Sequence, residues 1–392
     1  GCPSSGLTLE WFLMATLISL SPNVERDDIR LAWRTLFRPW TWAMPDAVLQ
    51  AQQAVSKLVP NTRAVLTSSG RTAISTALAA AGIGEGHEVI VQAFTCVAVP
   101  GSVKWTGARP VFVDIDPATF NMDPAAVVAA ITPLTKAIIV QHTFGIPGPA
   151  APLRELADAH GLLLIEDMAH SLRGGAAPLV GHIGVLSFGR DKIISSVFGG
   201  AVVTHDTALL TKIERAQAAL ALPPRGWVAQ QLLHPLLMAI VKRWYFMGLG
   251  KWILVAAQRL RLLSKAVALR ERAGAPPIFH HWRYSPALAV LLVGQLAKLD
   301  TFTQRRITTV NQYAERIAAV RGWRDLPLLR VPLRVKEKTA LLLQARDEQL
   351  MLGDWYRVAV EPCSLEQLEL VGYVPGSCPR AENYQAHTPL IL

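Results

Sequence analysis

The stretch "LLLIEDMAHSLRGG", residues 162–175, decides the fold. Its apolar run leads straight into Glu166 and Asp167, and a short polar turn follows. Such a run reads as a buried strand that ends in a carboxylate, which puts Asp167 at the C-terminal edge of a sheet. Downstream, "VLSF" (185–188) is a second such strand, and "FGRDKIISSVFGG" (188–200) carries Lys192 just past its end. A carboxylate and an amine at neighbouring strand ends are either an ion pair or two halves of a reacting site.

Working outward, "EVIVQAF" (88–94), "RPVFVDI" (109–115), "KAIIVQHTF" (136–144) and "GGAVVTHD" (199–206) read as further buried strands bounded by Gly, Pro or Asp. Alanine-rich helices such as "TAISTALAAAG" (72–82) and "PAAVVAAIT" (124–132) lie between several of them. The alternation predicts an α/β fold: a mainly parallel sheet flanked by helices, with a smaller C-terminal α/β domain. In that second part "YSPALAVLLVGQLAKLDTFTQRR" (284–306) reads as one long helix, and "LPLLRVPLRV" (326–335) and "TALLLQA" (339–345) as strands. The expected organisation is an N-terminal helical segment (1–44), a large domain (45–222), a basic apolar helical insertion (223–275) and a small domain (276–392).

A third element joins Asp167 and Lys192. "TSSGRTAIST" (67–76) sets Ser69, Gly70, Arg71 and Thr72 at the start of a helix. Free N–H groups and the helix dipole there make a phosphate cradle, with Arg71 as a charged fork, although Ser-Gly is also an ordinary turn and N-cap. Ser187, beside the lysine, is a further hydroxyl. A cradle, an aspartate and a lysine on one sheet suggest pyridoxal phosphate. The lysine would form an imine with its aldehyde, and the aspartate would keep its ring nitrogen protonated.

The quoted segments, together with "GEGHEVIVQAFTCVAV" (84–99), "GARPVFVDIDPATFNMDPAAVVAAITPLTKAIIVQHTFGIPG" (107–148), "SFGRDKIISSVFGGAVVT" (187–204), "GQLAKLDTFTQRR" (294–306) and "GSCPRAENYQAHTPLIL" (376–392), resemble in order the DegT/StrS-type nucleotide-sugar aminotransferases of fold type I. The resemblance implies a pyridoxal phosphate-dependent transfer of an amino group from an amino acid, glutamate first, to a nucleotide-linked keto-sugar in surface polysaccharide or glycoconjugate synthesis. It also implies a homodimer. It assigns Lys192, Asp167 and His170 to catalysis, and Gly70, Arg71, Thr72 and Ser187 to the phosphate. At four positions the chain departs from the family pattern. Arg71 stands where Thr is frequent, and Phe198 where Glu commonly precedes the glycine pair. Cys96 holds the place of the ring-stacking aromatic, leaving Phe94 as substitute. His281 stands where an Asn reaches the partner's phosphate. These departures support a rival reading, a membrane-associated sensor or scaffold that keeps the fold without turnover.

Charge separates the insertion from the rest. Of the formal net charge of +10, much lies between Pro223 and Arg272, where Glu271 is the only acid among many leucines and tryptophans. Cations threaded through apolar residues fit an interfacial element or a helical hairpin packed on protein better than a nucleic-acid site. "LLHPLLMAIV" (232–241), interrupted by Pro235, is not expected to span a bilayer. The apolar stretch "LTLEWFLMATLISL" (7–20) is too short for a span and reads as a docking helix. Four scattered cysteines form no CxxC pair, so a reducing cytoplasm is expected, with the inner membrane face as the alternative for a peripheral protein.

Overall fold

The computed structural model describes residues 23–172, 178–245, 249–333, 335, 337–347, 352–353, 356–385 and 390–391. The stretch at 7–20 lies outside them. The chain starts with α1 (Arg26–Leu36) and α2 (Asp46–Leu58), then enters the sheet at β1 (Arg63–Thr67). Helix α3 (Gly70–Ala80) leads to β2 (Glu88–Gln92), a two-residue strand β3 (Thr95–Cys96), α4 (Ala98–Lys104) and β4 (Arg109–Val113). Next come α5 (Pro124–Ala130), β5 (Thr135–Gln141), α6 (Ala150–His160), β6 (Leu163–Asp167), β7 (Ile183–Ser187), β8 (Gly200–Thr204) and α7 (Thr207–Ala218).

Seven of these strands form one sheet in the order β1-β8-β7-β6-β5-β2-β4. All neighbours pair in parallel except β8, which runs antiparallel to both β7 and β1. The apolar runs are continuous because both faces are covered. Val89, Val91, Ala137, Ile139 and Ile165 point to the core shared with α3, α4 and α7, while Ile90, Ile138, Val140 and Leu164 point to the core under α5 and α6. The period of two thus divides one apolar run between two cores. Each such Val, Ile or Leu stabilises the fold by about 1.5–3 kcal/mol relative to exposure. Parallel β5, β6 and β7 bring Gln141, Asp167 and Ser187 to one sheet edge. Reversed β8 brings its first residue, Gly200, there as well, opposite Ser187 and Thr67.

Helix α8 (Arg225–Trp244) runs through Pro235 without a break, so the interruption expected there does not occur. Its first half joins the main core through Val228 and Leu232, together with Ala32 of α1, Val55 of α2 and Leu288. Its second half pairs with α9 (Leu249–Arg259) in a separate small core of Met238, Val241, Ala257 and Leu263. Among the described residues no helix is long and apolar enough to cross a membrane. After the short α10 (Leu269–Arg272), the single long helix expected at 284–306 is two helices, α11 (Pro286–Leu296) and α12 (Leu299–Arg316). The break falls at Lys298, whose Nζ is held by Asp27 at 2.9 Å and Asp28 at 2.6 Å from α1.

The C-terminal part holds less sheet than expected. "TALLLQA" is helical, within α13 (Lys338–Asp347), because a run of Leu, Ala and Gln without a β-branched aliphatic residue favours helix. Among the described residues its strands are three pairs of residues: β9 (Val331–Pro332), β10 (Val360–Glu361) and β11 (Leu390–Ile391). β11 pairs with β9, and β10 adds to β3 of the large domain. The remaining helices are α14 (Leu365–Leu370) and α15 (Pro379–Gln385).

Candidate active site

A cavity of about 260 Å³ opens at the sheet edge where β1, β5, β6 and β7 end. Its wall includes Ser69, Gly70, Arg71, Cys96, Gln141, Asp167, His170, Ser187 and Lys192. The glycines at its β1 end are required by close approach. A Cβ on Gly200 would sit 2.4 Å from the backbone of Ser69 and Gly70, and one on Gly70 would lie 2.8 Å from Cβ of Ser187. Bare backbone therefore lets the start of α3, the end of β7 and the start of β8 stack against one another.

Asp167 is buried at the floor. Its Oδ1 accepts the N–H of Ala169 at 3.1 Å, and its Oδ2 accepts Nε2–H of Gln141 at 3.3 Å. Burial raises its pKa, against the opposing pull of Lys192. A cationic partner placed opposite it would restore the ionised form. Glu166, next in the chain, points the other way and holds the backbone N–H groups of Val180 at 2.6 Å and of Gly181. The two carboxylates thus divide into one that fixes a loop and one that faces the cavity.

Nζ of Lys192 lies 2.9 Å from Nε2 of His170 and 3.8 Å from Oδ2 of Asp191. Nδ1 of His170 accepts the N–H of Phe144 at 3.3 Å, and Nε2 is the ring nitrogen that faces the lysine. Burial pushes the pKa of His170 well below 6.5, reinforced by the charges of Lys192 and Arg330, so the ring stays neutral. Burial would raise Asp191 too, but Lys192, Arg330 and Arg190 together hold it below the ordinary carboxylate range. The lysine loop is clamped from behind. Nδ2 of Asn23 donates to the carbonyls of Lys192 and Ile193, each at 2.7 Å, and Gln295 accepts the N–H of Ser195 at 3.2 Å.

At the other end Ser69 caps α3, its Oγ accepting the N–H of Thr72 at 3.1 Å. The Thr72 hydroxyl is buried between Oγ of Ser68 and Oγ of Ser69, at 3.0 and 2.9 Å. Thr72 therefore closes the cap and does not line the cavity, contrary to its expected phosphate role. Arg71 does line it, but its guanidinium is engaged by Glu271 and by the carbonyl of Ala266 at 2.9 Å, 5.3 Å above the ring of Phe279. It is not the free fork expected. Phe94 is also corrected. Its side chain is fully buried against Phe120, Phe144 and Tyr356 and does not line the cavity; the aromatic residues that do are Phe198 and Tyr356. Cys96 is in the wall, with burial raising its thiol pKa. His281 is exposed beside a different hollow, with His280 and Trp105, and lines nothing around Lys192 within its own chain.

Several residues at the site were not singled out by the sequence. Arg190 donates to the carbonyl of Ser264 at 2.6 Å and to its hydroxyl at 2.7 Å, with its guanidinium 5.0 Å over Phe198. Arg190 and Asp191 were visible as two charges directly before the lysine. Ala266 and Val267 from the insertion, and Tyr356, Arg357 and Glu361 around β10, also wall the cavity. These come from distant parts of the chain and leave no local signal.

A lysine, a buried carboxylate facing the same cavity and a glycine-lined helix start, with Ser69, Gly70 and Ser187 in the wall there, are a set that could hold pyridoxal phosphate. Architecture and site together are those of the fold-type-I pyridoxal phosphate enzymes. The chain belongs to the DegT/DnrJ/EryC1/StrS aminotransferase family, whose sequence profile matches residues 25–224. It is 42% identical over 158 residues to an L-glutamine:2-deoxy-scyllo-inosose aminotransferase of Streptomyces kanamyceticus, covering 39% of this chain and 37% of that protein. It is 38% identical over 197 residues to the GDP-perosamine synthase of Caulobacter vibrioides, covering 49% and 53%. The match thus spans about half or less of these relatives' length. The solved structure of NtdA from Bacillus subtilis with bound cofactor PMP superposes with a TM-score of 0.68 at 19% identity, covering 96% of this chain and 80% of that one.

Proposed function

We propose that the protein is a pyridoxal phosphate-dependent aminotransferase that moves an amino group from an amino acid to a keto-sugar carried on a nucleotide, for surface polysaccharide or glycoconjugate synthesis. The observation that carries this reading is Lys192 Nζ at 2.9 Å from a neutral, buried His170, in the cavity that also holds Asp167 and the start of α3. Bound there, the cofactor supplies an electron sink for the pair left when a proton leaves the donor's α-carbon. Asp167 holds the proton on the ring nitrogen. With the cofactor bound, Nζ of Lys192 would take the proton from the donor's α-carbon and hand it on within the cavity, and would move a proton in the opposite sense for the keto-sugar. A positioned amine of this kind contributes roughly 10²–10⁴-fold. Nε2 of the neutral His170 is the fixed ring nitrogen beside it. Ser69, Gly70 and Ser187 hold the phosphate, and Cys96 and Tyr356 bound the ring's surroundings.

The donor is glutamate in this reading, with the L-glutamine named for the Streptomyces relative as the second to try. The protein acts as a homodimer in the cytoplasm, and His281, exposed on its own chain, serves the partner's cavity. The test is an absorption spectrum with pyridoxal phosphate for the wild type and Lys192→Ala, followed by addition of glutamate. The wild type alone should show the lysine-linked cofactor band, and an amino donor should bleach it. A band in Lys192→Ala identical to that of the wild type would overturn the assignment of the lysine. A wild-type band that no amino acid discharges would favour the sensor without turnover.

A further inference from the structure

The outward face of α9 has no partner within the described chain. Trp252, Val255, Ala256 and Arg259 follow the i, i+3, i+4, i+7 spacing and are exposed, whereas Gly250 and Ala257 on the opposite side are buried against α8. Trp252 is 73% exposed and Leu260, one residue past the helix, 70%. A monomeric protein leaves single apolar residues in water, but a Trp and a Leu at this exposure on one short hairpin form a patch. Around it stand Lys251, Arg259, Arg261, Lys265 and Arg270, all exposed, and no Asp or Glu occurs from residue 215 to residue 270.

We infer that this face docks on an anionic lipid surface. Cations from a stretch without Asp or Glu meet the field of anionic headgroups, while Trp252 and Leu260 enter the interface and Lys251 and Arg259 extend to the phosphates. A second copy of the same face would set cations against cations, so charge argues against self-pairing. The hairpin lies parallel to the surface and does not cross it, in keeping with the length of α9. It also continues directly into residues 264–271, which contact Arg190 and Arg71 at the cavity, so the docked face and the reaction cavity share one segment.

The test is flotation of the full, cofactor-loaded protein with vesicles of phosphatidylcholine alone or mixed with phosphatidylglycerol, at low and high salt. Two double variants accompany it, Lys251→Glu with Arg259→Glu and Trp252→Ser with Leu260→Ser; both must take up cofactor as the wild type does. Flotation should require phosphatidylglycerol and fall with salt. The charge reversal should weaken partitioning by roughly 30-fold or more, at about a fivefold loss for each of the two cations removed. The apolar pair should also weaken it. Three results would overturn the inference: no flotation on either vesicle, flotation that both variants retain in full, or a change of oligomeric state in the variants without a change in flotation. The second would assign lipid binding to another segment, and the third would assign the face to a second copy of the chain.

Discussion

Replacing Gly200 with alanine tests whether the start of α3 is the phosphate cradle. The added Cβ would lie 2.4 Å from the Gly70 nitrogen and the Ser69 carbonyl carbon, and 2.6 Å from the Ser69 oxygen. Ordinary contact begins near 3.4 Å, so about 1 Å must be found by moving backbone, since no flexible side chain is available to yield. Overpacking of this kind costs about 1–3 kcal/mol. The movement cannot be spread freely, because Gly200 is paired in register with both Ser187 and Thr67, and Gly70 already approaches Ser187. Displacement therefore falls on the N–H groups of Gly70 and Arg71 and on the Ser187 hydroxyl. A loss of cofactor affinity of about tenfold or more should follow, at about 1.4 kcal/mol per factor of ten. The assay is a fluorescence titration with pyridoxal phosphate and, in parallel, with pyridoxal, together with denaturant unfolding of the cofactor-free protein. The affinity loss should be confined to the phosphorylated compound. Gly226→Ala serves as the control: nothing lies within 4 Å of a Cβ there, and the residue is in the first turn of α8. It should leave affinity unchanged and add up to about 1 kcal/mol of stability. Unchanged stability and equal affinity in Gly200→Ala, or an equal loss for pyridoxal, would refute the reasoning.

Two further outcomes are expected. In the cofactor-free protein, Glu271→Ala strands Arg71, whose side chain is mostly buried, and should cost about 3 kcal/mol or more; a phosphate-bearing ligand replaces the lost carboxylate, so pyridoxal phosphate should raise the variant's stability by more than it raises that of the wild type, and equal gains measured by denaturant unfolding would refute this. Stability should also fall in mild acid. His170 and His234 are held well below 6.5 by burial and nearby cations, and burial and His281 take His280 to about 4. The unfolded chain therefore binds more protons, and the stability present above pH 6.5 is lost as pH falls through it, by about 1–3 kcal/mol between 7.5 and 5.5. Asp167, raised by burial, acts with the opposite sign and from 3.8 upward. Denaturant midpoints at the two pH values, with His234→Gln flattening the slope, provide the check; a flat or inverted profile would overturn it.

The central strands were legible because parallel strands covered on both faces have to be apolar without interruption, and because Asp167 and Lys192 follow such runs directly. β8 between β7 and β1 was legible as a strand but not in its direction, which depends on pairing across the sheet. α13 was misread because a short apolar run does not reveal its period, and its Leu-Ala-Gln composition outweighed the expectation of a strand. The break between α11 and α12 falls at Lys298, which Asp27 and Asp28, far away in sequence, reach only after folding. The same limit applies to the cavity. Asn23 behind the lysine and Tyr356 in the wall are adjacent to it only after folding.

Two of the departures from the family pattern act as one change. Phe198 stands where a Glu is common, and in its place a ring lies under the Arg190 guanidinium at 5.0 Å. Arg71 stands where a Thr is frequent, and it rests over Phe279 at 5.3 Å. Both arginines then donate to the segment 264–271, through Ser264, Ala266 and Glu271. A Glu at position 198 would compete with Ser264 for Arg190, and a Thr at position 71 could not reach Glu271, so neither departure is useful without the insertion. Two guanidinium groups at the phosphate end, satisfied by one buried carboxylate, a hydroxyl and carbonyls, leave that end of the cavity attractive to anions. This charge balance is in keeping with the proposed cofactor phosphate and the proposed nucleotide-linked acceptor. It also ties the insertion to the cavity, because any shift of residues 264–271 must move the two arginines that they hold.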